Sequence, residues 1–223
     1  MQALADFPIQ SQLANNQSTL LSPISWQTYE SLLKDLDENN GIRLIYDQGY
    51  LEIVMSPLLP LHEISSTLIH SFIIILGDEL DIDIRSLGST TLRRQDLQRG
   101  LEPDKSYYIQ HEAIVRDKQK LDLNQLPPPD LVVEIDITNS SRSKFPIYFS
   151  LGVPEIWCYD GEKLHLYQKT DQEYLTCETS SAFGLPVHTV IPAFISKSFS
   201  VSERIILREF RQWVKEQIKN RLK

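Results

Sequence analysis

The stretch PPPDLVVEIDITNSSRSKFPIYFSLGVPEIWCYDG, Pro127 to Gly161, decides the fold. Its first apolar run, LVVEIDI, is short, rich in β-branched residues and bounded by prolines and a polar loop, the pattern of a strand central in a sheet. A brief helical stretch follows around Ser141 to Leu151, and VPEIWCYDG then reads as a second strand. A strand, a helix and another strand in that order suggest a crossover and parallel pairing. The chain is therefore expected to be α/β.

Outward from this unit the elements alternate in type. SWQTYESLLKDLDENNG fits a helix with Ser25 as N-cap and Gly41 closing it. IRLIYDQGYLEIVMS splits at Asp47, Gln48 and Gly49 into two alternating runs, a β-hairpin. From Leu61 to Leu80, apolar residues at Leu61, Ile64, Leu68, Phe72, Ile75 and Leu76 recur at helical spacing and predict the principal core helix. Further strands are expected in DIDIRSLGSTTLRR, EPDKSYYIQ and KLHLYQKT, and VSERIILREFRQWVKEQIKNRLK reads as an amphipathic helix. The division is a loose arm over 1–22, one domain over 23–199 and a terminal helix over 200–223.

The 223 residues are 41% hydrophobic and 23% charged, enough for a substantial single core. TLIHSFIIIL is too short to span a bilayer and contains His70, so no membrane span is expected. The polar N-terminal segment lacks the basic and apolar regions of a secretory signal. Cys158 and Cys177 have neither metal-site nor redox spacing and fit a reducing cytoplasm. A formal charge of −8 argues against nucleic-acid binding by the whole surface, while leaving room for a local basic patch or one made by dimerisation.

Glu134 inside LVVEIDI is the residue that needs explaining, since a buried carboxylate requires a cation, hydrogen bonds or protonation. Strand alternation gives Asp130, Glu134 and Asp136 one parity and Leu131, Val133, Ile135 and Ile137 the other. Asp104, following Pro103 at the head of another strand, could converge on the same face. Such carboxylates would repel one another, and a divalent cation with oxygen ligands would neutralise them. Alternatively, Asp130 belongs to the proline-rich turn and Asp136 pairs with a nearby Arg or Lys, leaving Glu134 alone. Lys144 opens the following helix and could reach back to the acidic strand end. There it would steady charge developing on a phosphate or orient a water. Glu63 at the start of the core helix fits a helix-dipole role, and Glu155 begins a strand near the helix carrying Lys144. His62 and His70 could approach the site but are not assigned as ligands.

GSTTLRRQDLQRGLEPDKSYYI, PPPDLVVEIDITNSS, KFPIYFSLGVPEIWCYDGEKLHLYQ and the upstream MSPLLPLHEISSTLIHSF carry a family resemblance, their segments standing in family order along the chain. Together they resemble the Uma-type restriction endonuclease family of the PD-(D/E)xK nuclease superfamily, from roughly Ser25 to Pro192. The resemblance implies a restriction-endonuclease-like mixed sheet flanked by helices and Mg²⁺-dependent hydrolysis of DNA, with Mn²⁺ as a substitute ion. Asp104 matches the PD aspartate and Glu134 the acidic residue of (D/E)xK. Asp136 stands where the lysine belongs, so Lys144 looks like its migrated replacement. The implied metal ligands are Asp104 and Glu134, with Asp136 added through water, and a homodimer would address two strands. The other reading is a nucleic-acid- or protein-binding module on a nuclease scaffold without turnover. In the terminal helix, Arg204, Arg208, Arg211, Lys215 and Lys219 form either a solvated face or a phosphate-binding one, and its apolar side suits a dimer contact.

Overall fold

Alternating apolar residues pair as strands, and stretches with helical spacing cover them. The computed structural model describes residues 17–36, 41–55, 59–137 and 141–221. In chain order the elements are β1 (Gln17–Leu21), α1 (Trp26–Leu36), β2 (Ile42–Asp47), β3 (Tyr50–Met55), α2 (Pro60–Leu80), β4 (Arg85–Gly88), β5 (Leu92–Arg94), β6 (Arg99–Leu101) and β7 (Lys105–Tyr108). They continue as α3 (Glu112–Val115), β8 (Leu131–Ile135), α4 (Phe145–Leu151), β9 (Glu155–Tyr159), β10 (Leu164–Lys169), β11 (Tyr174–Cys177), α5 (Ile191–Lys197) and α6 (Glu203–Arg221).

The α/β class holds, but the strands divide between two sheets. The first has the order β1-β3-β2-β6-β5 and is antiparallel throughout, and the second runs β11-β10-β9-β8-β7-β4. Within the second, β8 and β9 pair in parallel, as the crossover requires, with Val133 opposite Trp157. The hairpin between β2 and β3 turns on Gln48 and Gly49, both at positive φ (48° and 94°), which a glycine accommodates without strain. Residues 17–21, expected in the loose arm, instead pair with β3 as an added strand. The rest of that arm, residues 1–16, lies outside the described residues.

Alternation on β8 sorts the core into two faces. Leu131, Val133 and Ile135 pack with Trp157 and Tyr159 of β9 against Leu68, Phe72 and Leu76 of α2. Ile206, Phe210 and Val214 of α6 complete this layer, so the apolar side that suits a dimer contact is taken up by the chain's own core. Part of α6's basic face is also paired internally: Arg211 meets Asp78 and Glu79, and Lys215 lies 3.7 Å from Glu79. By length and composition α2 could cross a membrane, yet nine of its residues are buried in the fold.

The opposite face, carrying Val132, Ile156 and Cys158, packs on Ile147, Tyr148 and Leu151 of α4 and on Ile45, Leu92 and Leu101 of the first sheet. Beyond that sheet, α1 packs Trp26 and Tyr29 on Leu44, Tyr46 and Leu51. Ser25 caps α1, its Oγ accepting the Thr28 N–H at 3.1 Å. Glu134 has the parity of Val132 and therefore faces α4 and the first sheet.

Candidate active site

β7 and β8 bring the two principal carboxylates together. Lys105 pairs with Val133, so one antiparallel step earlier Asp104 lies opposite Glu134. The backbone N–H of Ile135 donates to Asp104 Oδ2 at 2.7 Å and fixes that carboxylate at the strand end. Lys144 closes a 3₁₀ turn, Ser141–Lys144, that leads directly into α4. Its Nζ donates to Glu134 Oε2 at 2.8 Å, and Tyr148, one helical turn further on, donates its hydroxyl to Oε1. A residue nine positions beyond the strand's end reaches the acidic centre because the crossover folds its helix back over the sheet.

The other oxygen of Asp104 is the distinctive atom of the site. Oδ1 is buried and, among the described residues, accepts no well-aligned hydrogen bond. Arg43 forms an ion pair with it through Nη1, and His62 Nε2 lies 3.2 Å away. Charge, rather than directed hydrogen bonding, satisfies this oxygen.

The electrostatics follow from burial and these neighbours. Burial would raise the Asp104 pKa, but contact with His62 and the charges of Arg43 and Lys144 outweigh it and hold it well below the usual carboxylate range. Glu134, 1% exposed, goes the other way. Burial lifts it to about 7, with Lys144 opposing and Asp104 reinforcing the rise. Burial alone would lower Lys144, whose pKa is instead raised by Glu134 and Asp104. The contact with Asp104 raises His62, against its partial burial.

Not every acidic residue of this chain region joins the pair. Asp130 receives the backbone N–H groups of Ile109 and His111, at 2.7 and 3.0 Å, and the His111 ring. With Val132 buried in the apolar core, the even side of β8 is not a continuous acidic face. Asp136 Oδ2 accepts both the N–H and the hydroxyl of Ser141 at 3.0 Å, anchoring the 3₁₀ turn behind Lys144. Glu155 lies at the opposite end of the strands, opposite Leu131, and binds Trp157, Ser181 and the Ala182 N–H. Glu63 is exposed and bonds His62 at 3.0 Å, whereas His70 bonds the Tyr107 hydroxyl. His62 therefore comes closer to the pair than its sequence position on an apolar helix suggests. Arg43 and Tyr148 were not singled out from sequence. Arg43 left one signal: it shares parity with Ile45 on β2, putting a cation on a face otherwise facing the core.

A cleft of about 1110 Å³ opens beside Asp104, lined by Arg43, His62, Lys34, Lys105 and Lys120 and by the hydroxyl residues Ser89, Thr90 and Thr91. Glu30, Glu63 and Glu102 also border it. Asp104 belongs to its lining; Glu134 and Lys144 do not. Two buried carboxylates and an oxygen held only by charge suit a hard divalent ion, which takes one or two carboxylates and completes its shell with water and substrate oxygens. No group of three or more His, Cys, Asp or Glu residues with metal-binding geometry occurs among the described residues. The donor set fits an ion that shares its coordination with substrate better than a closed protein cage.

Comparison with known proteins places this geometry in context. The family model Uma2, described as "Putative restriction endonuclease", matches residues 26–200. Among solved structures, the chain is similar to one described as "a putative nuclease belonging to DUF820" from Anabaena variabilis ATCC 29413. The two are 16% identical, with a TM-score of 0.48 and coverage of 68% of this chain and 90% of that one. Among curated proteins nothing matches.

Proposed function

The chain belongs to the Uma2 restriction-endonuclease family, and we propose that it is a Mg²⁺-dependent endonuclease that hydrolyses DNA phosphodiester bonds at Asp104, Glu134 and Lys144. The observation that carries this reading is the pairing of two buried carboxylates across β7 and β8, with Lys144 bonded to one and a cation-satisfied oxygen on the other. Asp104 and Glu134 would hold the ion, with Asp136 contributing at most through water because its Oδ2 is engaged by Ser141. When bound, the ion polarises the phosphate and lowers the pKa of an attacking water.

The chain's own groups supply the rest. Asp104, lining the cleft, is the carboxylate a phosphate oxygen can approach. Lys144 opposes the rise in pKa that burial imposes on Glu134 and places a positive charge beside it. Tyr148 fixes the second Glu134 oxygen, so that the carboxylate cannot rotate away. A homodimer would present two such sites to two strands, and the unpaired Cys158 and Cys177 suit a reducing cytoplasm. No membrane partner is required.

The test is incubation of purified protein with supercoiled, linear, branched and single-stranded DNA in Mg²⁺, Mn²⁺ or chelator, alongside Asp104→Ala and Glu134→Ala. Cleavage is expected only with a divalent ion and only in the wild type. If wild type and variants behave alike on every substrate, the reading fails. The second reading, a binding module without turnover, draws on the Asp104–Arg43 ion pair and the lysine's displacement from its usual place. Metal-insensitive DNA binding without cleavage would favour it.

A further inference from the structure

Arg43 belongs to a different sheet from the carboxylate it pairs with. It lies on β2, opposite Val54 of β3, and crosses to Asp104 at the head of β7. Its side chain is 24% exposed and lines the cleft, while that of Asp104 is 4% exposed. The side chain thus holds a buried oxygen through Nη1 while part of it borders the opening. The Asp104 oxygen it serves is Oδ1, the one without an aligned hydrogen bond; Oδ2 is already committed to the Ile135 N–H.

A divalent ion bound at Oδ1 would occupy the region that the guanidinium now neutralises. Two positive centres cannot share it without strong repulsion, because the burial that strengthens their attraction to Asp104 strengthens their repulsion too. The cleft is the open direction. A phosphodiester offers the same two-oxygen edge as a carboxylate, a match for the planar fork of arginine.

We propose that Arg43 is a resident counter-cation of Asp104 that a divalent ion displaces, and that the released guanidinium then binds a phosphate of the nucleic-acid strand in the cleft. This rests on the metal-dependent nuclease reading above. Arg43 weakens metal binding in the empty protein, keeps the buried carboxylate compensated until the ion arrives, and couples metal and nucleic-acid binding through one side chain. That coupling is reciprocal: nucleic acid drawing Arg43 away favours the ion, and the ion favours nucleic acid.

The experiment compares wild type, Arg43→Gln, Arg43→Lys and Asp104→Asn. Calorimetry measures binding of Mn²⁺ alone. Fluorescence anisotropy measures a labelled single-stranded oligonucleotide in Ca²⁺ and in chelator, and thermal melts in chelator report folding. Arg43→Gln is expected to bind Mn²⁺ on the order of tenfold tighter than wild type, with Arg43→Lys between them. Its oligonucleotide affinity should fall on the order of tenfold in Ca²⁺ and far less in chelator. Equal or weaker Mn²⁺ binding by Arg43→Gln overturns the proposal, as does an oligonucleotide loss that is the same with and without metal. Should Arg43→Gln fail to fold, Arg43→Lys carries the test, because it keeps the charge and loses the fork. If Mn²⁺ binding is lost in Asp104→Asn but unchanged in both Arg43 variants, only the Arg43 inference falls. If the wild type and both Arg43 variants bind no Mn²⁺, the metal centre falls with it.

Discussion

Near neutral pH, Glu134 makes the stability of the site depend on pH. Its carboxyl is raised from 4.5 to about 7, so between those values the folded chain holds a proton that the unfolded chain has lost. Its contribution therefore favours folding at the acid end and declines as pH rises through that window, by up to about 1.4 kcal/mol per pH unit. His62, raised by Asp104, acts in the same direction: its stabilisation is full below 6.5 and lost as pH passes its folded pKa. Urea midpoints from pH 5 to 8 should show a shallower slope in Glu134→Gln; an unchanged slope would remove Glu134 from the account. Lys144→Met should cost less at pH 5.5, where Glu134 is neutral, than at pH 8, by up to about 1.4 kcal/mol, because above about 7 the buried carboxyl can keep its proton rather than stay charged without its partner. The comparison of those two midpoints checks the sign. Asp104, held low, adds stability that is lost only as pH falls well below 3.8, outside this range.

Among the elements, α2 and α6 meet through the Phe72–Phe210 ring contact and through the ion pairs of Arg211 with Asp78 and Glu79. Phe210 is fully buried, with its ring centroid 4.4 Å from Phe72 and 5.6 Å from both Phe194 and Trp213. Phe210→Ala is expected to lower stability by about 3 to 5 kcal/mol, measured by chemical denaturation, through lost transfer energy and the cavity left behind. Most elements were legible from periodicity. The crossover, the hairpin and the core helix follow from alternation, a Gln-Gly turn and 3.6-residue spacing, and α2 begins at Pro60, one residue before the expected start. β1, β6 and the split into two sheets were not legible. Three-residue strands such as Arg99–Leu101 are too short for a periodic signal, and β1 exists through its pairing with β3 rather than through its own apolar pattern.

At the scale of the whole molecule, a ligand that binds only the folded chain stabilises all of it. A divalent ion at about 100 times its Kd should add about 2.7 kcal/mol, visible as a rise in Tm, and none in Asp104→Asn. An equal rise in wild type and variant would locate the binding elsewhere. The sequence by itself determined the α/β class, the parallel crossover and the acidic candidates, because alternation, helical spacing and a carboxylate in an apolar strand are local properties. Only the tertiary structure decided which charges meet. Asp104 and Glu134 became neighbours through the register of β7 on β8, whereas Asp130, just before β8, and Glu155, at the start of β9, stand at the other end of the sheet with partners of their own. Arg43 and His62 reach the same carboxylate from another sheet and another helix, at 61 and 42 residues' remove, a convergence set by packing between layers and carried by no local pattern.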